Sequence, residues 1–377
     1  MKKIRTAIVG CGVISDIYME NLKNKFSIIE LVACSDLNQE RMLGQSKKFN
    51  IKPMTYDEIL ADESMELVIN LTNPSAHYSI IKSAIEHGKN IFSEKMLAVT
   101  FEEGKELVKL ARNKHVRLGV APDTFLGAGI QTAGYILQHG LIGSPNSFLI
   151  SLARDNRVFA EFLPHLAKKG GTILFDMGCY YFAALVSLLG PVESVHAYGN
   201  ILNSERVNQR VTSPQFGTAF TVDDYNIITA IIRMKSGIVG TAMFNAETNI
   251  GDKTHYEIYG SNGILDLGDP NSFDGQNILE KPYHEPVAFP FTHGYAENSR
   301  GVGAADMAWA IEENRKERAS GDLGLHVLEI VTGIEKSIES GHEYVMQTAI
   351  ERPMALKEGY LDNGFWGPTE ETALLTR

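Results

Sequence analysis

Short apolar runs alternate with helical stretches over the first third of the chain. The segments IRTAIV, ISDIYMENLKNK, IIELVACSD, NQERMLGQSKKF and LVINLT follow one another in that order. Pro74 suits the first turn of a further helix and Gly88 suits its left-handed C-terminal cap. A strand at 90–93, a helix at about 100–114 and a strand at 116–120 continue the pattern. The alternation predicts βαβ units, and hence a doubly wound parallel sheet in a first domain, residues 1–122.

Longer β-type runs without crossover helices follow from about residue 123. Lys235, Ser236 and Gly237 predict a hairpin turn between two of these runs, and the polar stretch from Asn203 to Gln215 predicts a loop. Strands are predicted at 148–153, 192–198, 226–234, 238–245, 257–259 and 264–267, and helices near 175–189, 304–318 and 323–340. The pattern predicts an α+β domain with an open, mostly antiparallel sheet over residues 123–377, and it leaves open that the last helices pack back on the first domain.

Composition and charge narrow the class of partner. The chain has 377 residues, 44% of them hydrophobic, and a net charge of −11 with scattered basic residues. A length of this kind favours two domains, and the charge disfavours nucleic acid and anionic membranes. The three cysteines are far apart, so we expect no disulfide, no metal site and a reducing cytoplasm. The apolar run before Gly10 is too short for a signal peptide or a membrane span, so no export is expected.

A glycine-rich turn follows the first strand and opens the first helix. Gly10 would permit the tight turn and Gly12 the approach of a pyrophosphate, while Ser15 replaces the third glycine of the dinucleotide fingerprint. Asp36 ends the second strand 24 residues after Gly12, where a carboxylate accepts hydrogen bonds from ribose and repels a 2′-phosphate. The turn therefore predicts NAD in preference to NADP. A purely structural turn, and an Asp36 that caps the next helix, remain alternatives.

Two further segments contain candidate catalytic groups. Lys95 ends another strand of the same predicted sheet, where it could bind a substrate hydroxyl or simply be solvated. Asp176 and Tyr180 lie four residues apart in a predicted helix, and the phenol could exchange a proton with an alcohol. In the alternative interpretation Asp176 caps the helix, and Tyr180 and Tyr181 pack in the core.

Taken together, GCGVIS, Asp36, NLTNPSAHYSIIKSAIEHGKNIFSEK and GGTILFDMGCYY resemble the glucose–fructose oxidoreductase, inositol dehydrogenase and MocA family. The resemblance implies a Rossmann domain, NAD(P)-dependent hydride transfer at a hydroxyl-bearing carbon of a sugar, polyol or related cyclic alcohol, and a homodimer or homotetramer. Long apolar strands between about 226 and 267, with few helices to cover them, favour such an oligomer. Two alternatives remain: an NAD-retaining enzyme that uses transient oxidation for elimination or glycoside cleavage, and a non-catalytic nucleotide-binding regulator.

The resemblance also assigns site residues. Lys95 keeps the catalytic position of a Glu-Lys-Pro motif in which Met96 replaces proline, and Tyr180 occupies the acid/base position that is His in many members. Asp123 lies in a segment that departs from the family pattern, so its predicted substrate contact is not transferred from relatives. His165 is a substrate candidate or a solvated loop residue, and His326 is expected to be structural. The predicted catalytic residues are Lys95, Tyr180 and Asp176; the substrate residues are Lys95, Asp123, His165, Asp176 and Tyr180; the cofactor residues are Gly10, Gly12, Val13, Ile14, Asp36, Thr72, Asn73, Pro74, His77, Glu94 and Lys95.

Overall fold

Six parallel strands form the first sheet of the structure, in the order β3-β2-β1-β4-β5-β6. The computed structural model describes residues 2–155, 164–168, 170–248 and 252–357, without the side chains of Pro164 and His165. This strand order is that of the doubly wound dinucleotide-binding fold, and its central strands are buried on both faces, as their continuous apolar runs require. The strands are β1 (Ile4–Val9), β2 (Ile29–Ser35), β3 (Lys52–Pro53), β4 (Leu67–Asn70), β5 (Asn90–Ser93) and β6 (Leu118–Val120).

Helix ends follow the local signals of the sequence. Pro74 is the first residue of its helix, which ends before His87 and a left-handed Gly88. Thr100 and Glu103 form a capping box, in which each side chain accepts a hydrogen bond from the other residue's backbone N–H. Among the described residues the helices are α1 (Ser15–Asn24), α2 (Gln39–Phe49), α3 (Tyr56–Ala61), α4 (Pro74–Glu86), α5 (Phe101–Lys114), α6 (Ala128–Gln138), α7 (Cys179–Leu189), α8 (Val302–Glu312) and α9 (Gly321–Ser340).

A second sheet has nine strands among the described residues, in the order β16-β15-β14-β13-β7-β12-β11-β8-β17. Within these nine, only β7 and β12 pair in parallel; the other neighbours are antiparallel. The predicted fold class, a Rossmann sheet followed by an open and mostly antiparallel sheet, is confirmed. The remaining strands are β7 (Pro145–Ala153), β8 (Val192–Asn200), β9 (Glu205–Val207), β10 (Ala219–Thr221), β11 (Ile227–Met234), β12 (Val239–Asn245), β13 (Lys253–Gly260), β14 (Gly263–Asp266), β15 (Asn277–Glu280), β16 (Val287–Phe289) and β17 (Tyr344–Val345).

Two local predictions for the second part of the chain differ from the structure. The stretch from Asn203 to Gln215 is not entirely a loop, because β9 lies within it and pairs with β10 in a separate two-stranded sheet. The helix predicted near 304–318 ends earlier, at Glu312. The helix predicted near 175–189 is confirmed, and its first turn, Leu174–Gly178, is π-helical before α-helical geometry starts at Cys179. A π-helical turn has no distinctive local pattern, since one wider helical turn depends on tertiary packing.

The described residues divide into two compact units. The first contains the described residues of Met1–Gln131, Phe291–Leu325 and Pro353–Arg377, and the second those of Thr132–Pro290 and His326–Arg352. The first unit thus includes α8 from the late part of the chain. The domain boundary at residue 122 stays a prediction. In the second unit every residue of α7 from Cys179 to Leu188 is buried, which makes this apolar helix part of that unit's core.

Candidate active site

The two glycines in the turn after β1 differ in the space around them. Gly10 has φ +104°, and a Cβ there would lie 2.7 Å from the backbone carbonyl atoms of Leu71, so the fold itself requires glycine. A Cβ on Gly12 would meet nothing within 4 Å. Ser15 is buried and donates a 2.6 Å hydrogen bond to the Gly12 carbonyl, and Ile14 at the start of α1 makes no side-chain cap. The N-terminus of α1 is therefore open on the Gly12 side.

Asp36 lies at the end of β2, beside this turn. Its carboxylate accepts hydrogen bonds of 2.7 Å from the backbone N–H groups of Cys11 and Asn38, and Arg41 lies 3.3 Å away. Asn38, rather than Asp36, caps α2, because the Asn38 side chain accepts a hydrogen bond from the Arg41 backbone N–H. The alternative in which Asp36 caps the next helix therefore does not hold.

Two aliphatic side chains near the glycine turn and Asp36 are fully solvent-exposed. Val13 in the glycine turn is 97% exposed and Leu37 is 105% exposed, whereas most large apolar side chains of the first unit are buried. Isolated exposed aliphatic residues are common, but these two lie in the loops that follow β1 and β2. They offer apolar surface in the two loops that also contain Gly12 and Asp36.

The loops after β4 and β5 are joined by a buried histidine. His77 has Nδ1 2.7 Å from the carbonyl oxygen of Met96 and Nε2 2.9 Å from that of Thr72. Burial lowers the pKa of His77, and the two carbonyl groups oppose that effect. The Lys95–Met96 peptide is cis, although proline is absent. Asn73 precedes Pro74 at the start of α4 and does not cap it with its side chain. His77 thus connects the segments that contain the predicted cofactor residues.

Glu94 and Lys95 lie immediately beyond β5. The Glu94 carboxylate accepts a 2.7 Å hydrogen bond from the Tyr18 hydroxyl through Oε1 and a 3.1 Å hydrogen bond from the Lys95 backbone N–H through Oε2. Lys95 is half-buried at the carboxyl edge of the parallel sheet. This is the edge at which open α/β sheets bind ligands. Tyr18 was not among the residues expected from the sequence, because its partner is 76 residues away.

Asp123 is buried beside the start of α8. Its Oδ2 accepts hydrogen bonds of 2.9 and 3.0 Å from the backbone N–H groups of Gly301 and Gly303. Burial, reinforced by the nearby Glu94 charge, raises the pKa of Asp123 to about 6. These contacts make Asp123 a helix cap, and its predicted role in substrate binding stays a prediction.

In the second unit, Asp176 and Tyr180 lie on either side of a change in helical geometry. Asp176 is in the π-helical turn, where its N–H donates a 2.8 Å hydrogen bond to the Thr172 carbonyl, and Tyr180 is in the first turn of α7. π-Helical turns occur often at functional sites. The Asp176 side chain is half-buried and Tyr180 is buried, so neither is a freely solvated surface group.

Arg154, a residue that no sequence pattern had indicated, lies next to Asp176. It follows β7 directly and is buried; its Nη1 is 3.9 Å from Asp176 Oδ2 and its Nε is 3.1 Å from Asp252 Oδ1. A buried guanidinium between two carboxylates offsets their charge and restricts their orientation. The available signal was a charged residue directly after a predicted strand.

The alternative interpretation of this helix is correct for Tyr181. Tyr181 is fully buried, and its ring packs edge-to-face on Phe244 with centroids 5.8 Å apart. Asp176, by contrast, lies within the π-helical turn rather than at its N-cap, which is Ile173.

The two candidate histidines have different outcomes. The side chain of His165 lies outside the described part of the chain. His326 is structural as expected: it is buried, its Nε2 accepts a 3.0 Å hydrogen bond from the Val192 N–H, and burial lowers its pKa to about 4.

The described residues contain neither a membrane-spanning helix nor a metal-binding cluster. No helix among them is both long and apolar enough to cross a bilayer. No group of three or more His, Cys, Asp or Glu side chains in the same residues is arranged to hold a metal ion.

Comparisons with known proteins match both parts of the chain. A model of an oxidoreductase family with an NAD-binding Rossmann fold matches residues 4–121, and a GFO/IDH/MocA C-terminal domain model matches residues 130–266. An uncharacterized oxidoreductase of Schizosaccharomyces pombe is 30% identical over 211 residues, which are 52% of this chain and 55% of that protein. The chain therefore spans about half the length of that relative.

Two further relatives match more of the chain. The scyllo-inositol 2-dehydrogenase (NAD(+)) of Bacillus subtilis is 25% identical over 71% of this chain and 74% of its own length. The structure of a levoglucosan dehydrogenase in complex with NADH and levoglucosan aligns with a TM-score of 0.79 at 19% identity, covering 92% of this chain and 100% of the other. At that identity the structural match establishes the fold alone.

Proposed function

This chain belongs to the Gfo/Idh/MocA family of NAD-binding oxidoreductases, and we propose that it transfers a hydride between a nicotinamide cofactor and a hydroxyl-bearing carbon of a sugar, polyol or related cyclic alcohol. One observation supports the proposal above the others. The open Gly12 position, the uncapped start of α1 and the Asp36 carboxylate occur together at the carboxyl edge of a parallel sheet. Each is what a dinucleotide requires there.

The cofactor we propose is NAD in preference to NADP. The backbone N–H groups near Gly12 and the helix dipole of α1 would hold the pyrophosphate. Asp36 would accept hydrogen bonds from the adenosine ribose, while Val13 and Leu37 would cover the adenine. Arg41 lies 3.3 Å from the Asp36 carboxylate, and its charge weakens the repulsion of a 2′-phosphate. The preference for NAD therefore rests mainly on the hydrogen bonds that Asp36 would accept from the ribose hydroxyl groups.

Lys95 is the group we propose to act on the reacting hydroxyl. When bound, the nicotinamide ring accepts or donates the hydride. A Lys ammonium at the end of β5 stabilises an alkoxide, which lowers the pKa of the substrate hydroxyl as the hydride leaves its carbon. His77 and Glu94 hold the backbone on both sides of this residue through Met96 O and the Lys95 N–H. A fixed backbone reduces the entropy lost when Lys95 meets its substrate.

Asp176 and Tyr180 are proposed, as the family resemblance implies, to orient the sugar or polyol and to exchange the hydroxyl proton. A carboxylate accepts hydrogen bonds from neighbouring hydroxyl groups, and the Arg154 guanidinium, 3.9 Å from Asp176 Oδ2, restricts the orientation of that carboxylate. A phenol can serve as general acid and general base for a carbonyl–alcohol interconversion. Asp123 and His165 are further candidates for substrate binding. Asp123 Oδ2 already accepts hydrogen bonds from two backbone N–H groups of Gly301 and Gly303 at the start of α8, so we assign it a smaller part in substrate binding than Asp176.

The experiment that tests the function is a screen for NAD reduction across neutral sugars, inositols and glycosides, followed at 340 nm. We expect NADH to form with at least one polyol, and Lys95→Ala to lower turnover by about 10²–10⁴ with NAD affinity nearly unchanged. Products formed without net NADH would instead indicate elimination or glycoside cleavage through transient oxidation. Tight NAD binding without turnover of any compound would indicate a regulator.

We further propose that the protein is a cytoplasmic homodimer or homotetramer that associates through the open face of its second sheet. Ile231 and Met243 are 52% and 37% exposed on β11 and β12, and Tyr198 on β8 is 73% exposed. Ile231 pairs with Thr241, and Thr229 pairs with both Met243 and Tyr198, so these side chains share one sheet face. A second copy of the same face would bury them. The three cysteines are free and buried, which agrees with a reducing compartment.

A further inference from the structure

Tyr18 is a fully buried phenol in the helix that follows the glycine turn. It is 0% exposed, and its hydroxyl donates a 2.7 Å hydrogen bond to Glu94 Oε1. Burial raises the pKa of Tyr18, and the nearby Glu94 and Asp123 carboxylates raise it further. The phenol therefore stays protonated and is the donor, and the carboxylate is the acceptor. A hydrogen bond to a charged acceptor in such a place is stronger than a neutral one.

The second oxygen of Glu94 accepts the backbone N–H of Lys95 at 3.1 Å. One carboxylate group thus joins the Tyr18 hydroxyl to the backbone of the candidate catalytic lysine. Both of its oxygens have donors within the protein, and the direct cofactor contact expected for Glu94 stays a prediction. Without the Tyr18 donor, Glu94 Oε1 would lose its hydrogen-bond partner, and the carboxylate would be free to rotate away from the Lys95 backbone.

The position of Tyr18 in α1 explains why this hydrogen bond matters. Tyr18 lies one turn from the N-terminus of α1, which is the end next to the open Gly12 position. Lys95 follows β5, and β4 separates β5 from β1 in the sheet. The Tyr18–Glu94 hydrogen bond therefore links α1 to the end of β5 within the first unit. It connects the element proposed to bind the pyrophosphate with the segment proposed to perform proton chemistry.

We propose that Tyr18 is a positioning residue for Lys95. Tyr18 acts through the Glu94 carboxylate and fixes the backbone at the end of β5, where Lys95 is attached. The role of Lys95 rests on the proposed function, but the connection itself can be measured without it. A purely structural tyrosine would stabilise the fold and leave the behaviour of Lys95 unchanged.

The test compares Tyr18→Phe with a matched control, Tyr56→Phe. Tyr56 is in the same unit, and its hydroxyl donates a 2.6 Å hydrogen bond to the Ile80 carbonyl, away from the candidate site. Both variants keep the ring and lose one hydrogen bond. We expect Tyr18→Phe to lower kcat by about tenfold or more with the KM for NAD nearly unchanged, since one charge-assisted hydrogen bond is lost. Tyr56→Phe should keep both kinetic constants at the native value.

A double-mutant cycle with Glu94→Gln tests whether Tyr18 acts through Glu94. If it does, adding Tyr18→Phe to Glu94→Gln should cause little further loss of kcat, whereas independent effects would multiply. Multiplying effects, equal losses in the two Tyr→Phe variants, or a native kcat for Tyr18→Phe would each overturn the proposal.

A second readout needs neither cofactor nor substrate. The rate at which an amine-reactive ester labels Lys95 in the intact protein, followed by peptide mass spectrometry, reports the position and environment of the ammonium group. We expect this rate to change about threefold or more in Tyr18→Phe and to stay native in Tyr56→Phe, a difference of the size that one altered hydrogen bond produces. Equal labelling in all three proteins would overturn the positioning role even if the screen finds a substrate. A changed labelling rate with no NAD reduction would support the connection and count against the proposed function.

Discussion

Replacing Gly12 with alanine should separate cofactor binding from folding. The added Cβ would meet nothing within 4 Å, and Gly12 does not have the left-handed backbone that would strain an alanine. The protein without cofactor should therefore lose no stability, and the smaller entropy of the unfolded alanine chain could add about 0.4–1 kcal/mol. The same methyl group would occupy the space in which we propose that a pyrophosphate approaches the backbone.

The expected loss of NAD affinity follows from the hydrogen bonds at stake. A backbone N–H that donates to a charged group contributes about 1.5–3 kcal/mol, so displacing the phosphate from one such donor should weaken binding by about 10- to 150-fold. Calorimetric titration with NAD measures the affinity, and urea unfolding of the cofactor-free protein measures the stability. The decisive result is the combination of native stability with weaker binding.

Two other glycines provide controls. Gly44 lies in α2, and a Cβ there would also meet nothing within 4 Å, so Gly44→Ala should keep NAD affinity and gain up to about 1 kcal/mol of stability from helix propensity. Gly10→Ala should unfold more easily than either, because its Cβ would lie 2.7 Å from the Leu71 backbone. If Gly12→Ala binds NAD as tightly as the native protein, the turn is structural and the cofactor site lies elsewhere.

Four further predictions concern the cofactor, the acid/base group, pH and assembly. Asp36→Ala should narrow the difference between NAD and NADP binding by about 1–3 kcal/mol in calorimetry, and tighter native binding of NADP would contradict the assignment. Tyr180→Phe should lower turnover by about 10²–10⁴ with the fold intact, and a native rate would make Tyr180 a packing residue. Because burial raises the pKa of Asp123 to about 6, the folded state binds that proton more tightly than the unfolded chain does. Native stability should therefore rise relative to Asp123→Asn by about 2–3 kcal/mol as pH falls from 7 to 4, and parallel urea-unfolding profiles would refute this. Light scattering at micromolar concentration should find a dimer or tetramer, and a monomer would exclude the proposed sheet interface.

Elements whose signals are local could be predicted from the sequence. Pro74 begins α4 because its fixed φ suits a first helical turn, and Gly88 follows the end of α4 because it adopts the left-handed backbone of a C-terminal cap. Thr100 precedes α5 and caps it with its side chain. Each of these signals acts within a few residues. Apolar runs identified β1 and β4 as buried strands, and the strand–turn–helix context identified the glycine turn. Strand-end position and helical spacing also singled out Lys95 and Asp176, with solvation and helix capping left as alternatives, and the family resemblance assigned their proposed roles.

The contacts that shape the candidate site required the tertiary structure. Tyr18 and Glu94 are 76 residues apart, and Asp123 and Gly301 are 178 residues apart. Arg154 meets Asp176 only because β7 and the π-helical turn lie in the same unit. Amphipathic periodicity specifies which face of an element is buried, but the partner of a buried polar group depends on which distant element packs there. The sequence alone therefore determined the alternation of the first domain, the fold class and the residue types at the sheet edge. The tertiary packing decided short strands such as β9 and β17, and it decided which donor each carboxylate binds.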